Sequence, residues 1–291
     1  VKHFNCQCGI MLTASHNPPE YNGYKVYWED GGQLVPPQDQ DIIKEIEALE
    51  FKDINFKENA DLLEIIGEQV DKIFVDEAIK NAKKNVDDTA RNNLKVVFTA
   101  LHGTSITVVP QTLEQAGYKH VELVKEQAEP NGDFPTVKSP NPEEPEALKM
   151  AMELAEKNNS DIVIGTDPDG DRLGIAVRDD QNKIKLLNGN QTMVLMTWFL
   201  LDEAKNHFKG NEFVASTIVS TPMMRVMTEN FGVEFMDTLT GFKWIADLIK
   251  RYPDKHFIGG GEESFGYMVG DFVRDKDATA SILLICEIAA K

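Results

Sequence analysis

Apolar and polar residues follow two different rhythms along this chain, and the change falls near Asn93. Before it, Ile42, Ile43, Ile46 and Leu49 recur at helical spacing over residues 41–50, with Asp41 as a predicted N-cap. Residues 56–93 are charged and read as helical, ending in Lys83-Lys84-Asn85-Val86-Asp87-Asp88. That run suits a connection between domains, or equally one long solvated helix inside a single domain.

From Asn93 onward short apolar runs alternate with helical stretches. Strands are predicted over 94–100, 121–124, 161–165, 213–219, 233–235 and 257–258. Helices are predicted up to Ala116 (with Gly117 as stop), over 142–157, 191–205, 222–231 and 241–251, and from about Asp277. Strands separated by helices of this length imply α/β domains with mixed, mainly parallel sheets, whose ligands bind at the carboxyl ends of strands. The predicted division is 1–75, 76–187 and 188–291.

A length of 291 residues is enough for about two domains of ordinary size. A net charge of −18 argues against nucleic acid or an anionic membrane as partner. No apolar run reaches the ~20 residues of a membrane span, and nothing at the start resembles a signal peptide. Three cysteines, Cys6, Cys8 and Cys286, cannot all pair, and Cys-x-Cys suits neither a zinc knuckle nor a redox motif. Buried or inert thiols in a reducing cytoplasm are expected. The chain opens on Val1 and closes inside an apolar helical pattern, so both ends read as cut from a longer protein.

Three segments follow strand-like runs and carry chemistry. Thr13-Ala14-Ser15-His16-Asn17-Pro18 sets a hydroxyl beside an imidazole, where a phosphoryl or acyl group could rest covalently. Asp167-Pro168-Asp169-Gly170-Asp171-Arg172 puts three carboxylates on alternate residues of a tight turn, a set suited to one hard cation. An EF-hand would need Gly and Glu where Arg172 and Arg178 stand, and a haloacid-dehalogenase-type nucleophile would lack Asp171. Gly259-Gly260-Gly261-Glu262-Glu263-Ser264 offers close backbone approach and paired hydrogen-bonding groups for sugar hydroxyls. A phosphate-cradling P-loop would need a lysine there, not two glutamates. An anionic ligand would meet cationic islands at Lys25, Arg172, Lys243 and Arg274-Asp275-Lys276.

Together these segments resemble the α-D-phosphohexomutase family over essentially the whole chain. The resemblance implies partial domain 1 followed by domains 2 and 3: the end of the phosphoserine domain, a metal-binding domain and a sugar-binding domain. It implies Ser15 as phosphoryl carrier, with Lys25 or His16 in proton transfer. It implies one Mg²⁺ held by Asp167, Asp169, Asp171 and the phosphoryl group on Ser15, with Arg172 beside the transferring group. Glu262 and Ser264 match the sugar contacts, and Lys243 in Thr240-Gly241-Phe242-Lys243 would lie near phosphate or sugar. Glu-Glu-Ser resembles glucose-type members, which interconvert glucose 1-phosphate and glucose 6-phosphate and are primed by glucose 1,6-bisphosphate. The implied partner is a hexose phosphate, and the implied location is the cytoplasm. Mannose-, glucosamine- and pentose-type mutases of the family, an inactive phosphosugar-binding relative and a metal phosphatase stay open. Complete members carry a fourth domain with a phosphate-gripping loop, so activity is expected of a longer parent chain. His102 in Leu101-His102-Gly103-Thr104 resembles another family segment, or is a structural histidine at a strand end.

Overall fold

The structure, a computed structural model, describes residues 1–291. A hairpin of β1 (Cys8–Leu12) and β2 (Tyr24–Trp28) opens the chain, with Cys8 opposite Trp28 and Leu12 opposite Tyr24. Helix α1 (Gln38–Glu47) begins three residues before the predicted Asp41 cap, immediately after Pro37, whose fixed φ suits a helix start. It buries none of its residues, and Ile43 and Ile46 are exposed. The predicted long helix is shorter: α2 spans Glu68–Ala82 and α3 spans Asp88–Asn93. Residues 54–67 carry only a single short helical turn, because Phe56, Leu62, Ile65 and Ile66 have no partner to pack on. The predicted boundary at 75/76 thus falls inside α2, and the irregular connection precedes Glu68.

Five strands follow: β3 (Lys95–Thr99), β4 (His120–Leu123), β5 (Ile162–Thr166), β6 (Leu173–Arg178) and β7 (Ile184–Leu187), in the order β4-β3-β5-β6-β7. Helices α4 (Val109–Ala116) and α5 (Lys149–Asn158) flank them. Gly117 ends α4 in a left-handed conformation, as its position predicts. The second predicted helix loses its first half, since Pro142 and Pro145 lack amide protons and the chain turns at Glu144 and Ala147 instead.

The last unit has α6 (Gly189–Ala204), β8 (Glu212–Thr217), α7 (Met223–Asn230), β9 (Glu234–Thr238), α8 (Lys243–Arg251), β10 (His256–Gly261), β11 (Tyr267–Val269) and α9 (Ala278–Ala290). Its sheet runs β11-β10-β8-β9. Both sheets are mixed. Parallel pairs occupy one side of each sheet, β4-β3-β5 and β10-β8-β9, while β6, β7 and β11 join antiparallel on the other side. The antiparallel share exceeds what strand–helix alternation predicts, because each motif loop is itself a hairpin turn.

Helix α9 is apolar all round because it is buried all round, from Ala278 to Glu287. It packs on α2, α4 and α6 and reaches β5, β6 and β11, so one core cluster holds Phe98 and Ile164 together with Val214 and Tyr267. Each buried Leu or Ile of α9 contributes about 1.5–3 kcal/mol to that union. At its end the buried Glu287 carboxylate accepts from Arg91 Nε (2.7 Å), Arg91 Nη2 (2.8 Å), Tyr118 OH (2.7 Å) and the Lys84 amide (2.8 Å). No helix is long and apolar enough to cross a membrane. Cys6, Cys8 and Cys286 are unpaired; Cys286 is buried, whereas Cys8 is exposed on β1 rather than buried.

Candidate metal and phosphoryl site

The turn of the first hairpin carries Ser15 at φ +54°, a conformation rare for a non-glycine residue. Thr13 Oγ1 accepts from the Ser15 amide at 2.8 Å and fixes that turn. Gly23 closes it from the other strand: a Cβ there would lie 1.8 Å from the Thr13 carbonyl oxygen, so only glycine fits. Ser15 Oγ then donates to Asp167 Oδ2 at 3.0 Å and lies 3.1 Å from His16 Nδ1.

Asp167–Arg172 forms the tight connection from β5 to β6. Asp167 Oδ1 accepts from the amides of Asp171 (3.1 Å) and Arg172 (2.9 Å), and Gly170 supplies the left-handed turn at φ +71°. One oxygen each from Asp167, Asp169 and Asp171 can be chosen with all three within 4.8 Å of one another. Burial pushes the Asp167 carboxyl well above its ordinary range, and the neighbouring Asp171 and Asp169 charges push the same way. Asp169 Oδ1 and Asp171 Oδ1 are buried with no hydrogen-bond partner. Crowded, oxygen-only, partly unsatisfied donors are the set a hard divalent cation such as Mg²⁺ completes. The three aspartates therefore fit the implied ion.

Two lysines supply counter-charge. Lys25 Nζ reaches Asp169 Oδ2 (3.3 Å) and Asp171 Oδ2 (3.1 Å), and Lys276 Nζ reaches Asp171 Oδ2 (3.1 Å) and Asp275 Oδ1 (3.3 Å). Burial opposes the Lys25 charge, but Asp171 and Asp169 outweigh it and raise its pKa. The resemblance implies proton transfer by Lys25 where neighbouring cations depress its pKa; here its immediate neighbours are these two carboxylates. His16 moves the other way: burial and the Arg172 charge lower its pKa and favour the neutral imidazole. Burial opposes the Asp171 charge too, yet Lys276 and Lys25 hold its carboxyl below the usual range.

Lys276 is the residue that sequence reasoning missed as an individual. It is visible beforehand only as part of the Arg274-Asp275-Lys276 island, since its partner Asp171 is 105 positions away by the numbering. Tyr27 OH donates to Asp275 Oδ2 at 2.6 Å, so this island also ties down the Ser15 hairpin.

Glu262–Gly266 joins β10 to β11 beside this cluster. Leu173 N donates to the Phe265 carbonyl at 3.1 Å, and Arg172 bridges Gly266 in antiparallel fashion, so the two loops touch through backbone. Glu262 is buried, accepts from the Gly241 amide at 3.0 Å and has its pKa raised chiefly by burial. Glu263 turns away to accept from Thr217 Oγ1 (3.1 Å) and Ser220 Oγ (2.9 Å). Gly259–Gly261 lie inside β10 rather than against a ligand: a Cβ on Gly260 would stand 2.1 Å from the Ala215 carbonyl oxygen. Their smallness serves strand packing.

Ser15, His16, Lys25, Asp167, Asp169, Asp171 and Arg172 thus converge. Glu262 borders them, while Ser264 is half-buried in the same loop and makes no hydrogen bond to the carboxylate cluster. Lys243 opens α8, half-buried, with Nζ 5.2 Å from the Trp244 ring centre, and makes no ion pair with the cluster. His102 is structural: its ring nitrogens lie 3.2 Å from the Glu129 carbonyl and 2.9 Å from Thr136 Oγ1.

The sequence matches the models of phosphoglucomutase/phosphomannomutase α/β/α domain I over residues 1–53, domain II over 72–181 and domain III over 188–291. The chain belongs to the phosphoglucomutase/phosphomannomutase family. Among curated relatives, a phosphoglucomutase of Staphylococcus epidermidis is 38% identical over 293 residues, covering 100% of this chain and 53% of its own length. A phosphoglucomutase of Staphylococcus aureus is 36% identical over 296 residues, covering 100% and 52%. The chain spans about half the length of these relatives. In fold, it resembles a phosphomannomutase-type structure from Thermus thermophilus at a TM-score of 0.80 and 24% identity, over 99% of this chain and 61% of that one. It also resembles an N-acetylphosphoglucosamine mutase of Aspergillus fumigatus, crystallised with GlcNAc-6P and magnesium (TM-score 0.63, 15% identity, 99% and 71% covered).

Proposed function

We propose that the protein carrying this chain is a phosphoglucomutase of the cytoplasm, moving a phosphoryl group between the 1- and 6-positions of glucose through phosphorylated Ser15. The observation that carries this reading is the Ser15 hydroxyl, 3.0 Å from Asp167 at the edge of a three-carboxylate cluster. The phosphoglucomutase relatives and the Glu262-Glu263-Ser264 loop favour glucose over other sugars.

In the first transfer the bond from Ser15 Oγ to phosphorus breaks while a bond from the free sugar hydroxyl to the same phosphorus forms. The hydroxyl proton leaves to a base, and the Ser15 oxygen takes one up. The product is a hexose bisphosphate, glucose 1,6-bisphosphate, which also serves as primer. After it reverses in the site, Ser15 Oγ gives up its proton, attacks the other phosphoryl group, and the sugar oxygen leaves and is protonated. His16 Nδ1, 3.1 Å from Ser15 Oγ and biased to its neutral form, is suited to hold that proton.

Asp167, Asp169 and Asp171 would hold Mg²⁺, which when bound offsets phosphoryl charge. Arg172 lies beside them, where a fixed guanidinium stabilises charge developing in transfer. Lys25 and Lys276 serve as charge partners. Glu262 and Ser264 would grip sugar hydroxyls, and Lys243, at the start of α8, would lie near phosphate or sugar. Residues 1–75, 76–187 and 188–291 would supply carrier, metal and sugar functions respectively, and a hexose phosphate is the partner.

The test is intact mass and peptide mapping after incubation with Mg²⁺ and glucose 1,6-bisphosphate. One added phosphoryl group on Ser15 is expected, absent in Ser15→Ala. A folded chain that gains none, or gains it equally in Ser15→Ala, overturns the carrier assignment.

A further inference from the structure

Glu143 stands against Arg172 without any role assigned so far. The Asn141 side chain fixes its turn by accepting from the Glu143 amide at 3.1 Å. Arg172 Nη1 donates to Glu143 Oε1 at 2.6 Å, a short charge-assisted bond between side chains 20% and 31% exposed. The same guanidinium keeps Nε buried with no partner, 4.0 Å from Asp171 Oδ1. An acidic residue in a cleft for anions works against binding unless it is neutralised, and here the neutralising group is the arginine that the anion itself would use.

We propose that Glu143 is a placeholder for the phosphoryl group. Its carboxylate holds the Arg172 guanidinium while no anion is bound and yields it when a phosphoryl group arrives. This rests on the reading that phosphoryl groups bind between Ser15 and Arg172. Glu143 is thus a positioning residue: it presets the guanidinium and keeps it from collapsing onto Asp171. The exchange weakens the grip on a bisphosphate that must detach and turn.

The test is calorimetric titration of the chain with glucose 1,6-bisphosphate in Mg²⁺, for the native sequence, Glu143→Gln, Arg172→Ala and the double variant. Freeing Arg172 from a charged competitor while keeping a neutral acceptor for it is expected to tighten binding roughly three- to tenfold. In the Arg172→Ala background the same substitution is expected to change affinity less than twofold. Unchanged or weaker binding by Glu143→Gln overturns the placeholder, and so does equal tightening in both backgrounds, which would mean mere removal of charge. Binding by no variant overturns the Ser15–Arg172 reading and the placeholder with it. Should the Gln variant fold poorly, Glu143→Ala carries the same expectations, read beside its melting curve.

Discussion

Asp277 shows how one residue can be pulled two ways. As N-cap of α9 its carboxylate accepts from the Thr279 amide (3.0 Å) and the Ala280 amide (2.9 Å), which favours the charged form. Burial opposes this and wins, pushing the carboxyl up from 3.8 to about 6. The folded state therefore holds this proton more tightly than the unfolded chain. Its contribution to stability is full below about pH 4 and is lost as the pH rises through about 6, on the order of 3 kcal/mol in total. Asn caps as well and does not titrate, so Asp277→Asn should gain on the native sequence by that amount between pH 4 and 7. Denaturant unfolding at both pH values checks it; parallel stability profiles would refute it. At this scale sequence reading went as far as local patterns reach. The three aspartates announce themselves by spacing, and Ser15 through the resemblance of its whole motif. Lys276 and Glu143 do not, because their meaning lies in partners 105 and 29 positions away.

The loops that matter are turns of hairpins, and their shape depends on what packs beneath them. Gly189, first residue of α6, lies under the loop at 262–266: a Cβ there would stand 1.8 Å from the Glu263 carbonyl oxygen and 3.0 Å from the Phe265 ring. Gly189→Ala should displace residues 262–265 and cost about 1–3 kcal/mol. It should also release the Glu262 contact to the Gly241 amide, readable as faster hydrogen exchange at Gly241. Unaltered exchange with unaltered stability would show that the loop accommodates the methyl group. The helices and central strands after Asn93 were legible because periodicity and punctuation agree there. Strands β6, β7 and β11 were not, since each is a return strand with no helix before it: β6 and β11 follow motif loops, and β7 follows the turn at Asp179–Lys183. The stretch 54–67 misled for the opposite reason: it has the composition of a helix and nothing to lie against.

Across the whole molecule, α9 links the Asp167–Arg172 loop to a buried charge cluster. Ala278 N donates to the Gly170 carbonyl at 3.1 Å, and the far end is locked by Glu287 with Arg91, Tyr118 and the Lys84 amide. Truncating Glu287 to Ala strands the Arg91 charge and should cost about 3–5 kcal/mol. Replacing both partners by apolar residues, Arg91→Met with Glu287→Leu, should cost far less than the two single changes added together. Additive losses in chemical unfolding would show that the two groups do not act as a pair. The bridge between Arg172 and Gly266, seconded by Leu173 and Phe265, has a further consequence. The loop proposed to hand over phosphate and the loop proposed to grip sugar are stitched backbone to backbone, so the gap between them is a ruler that does not stretch. Under the proposed mechanism, a substrate that must offer first one end and then the other finds no give between these two loops to turn it. It has to let go, somersault and land again on the same marks, and the tightness of each grip sets the tempo.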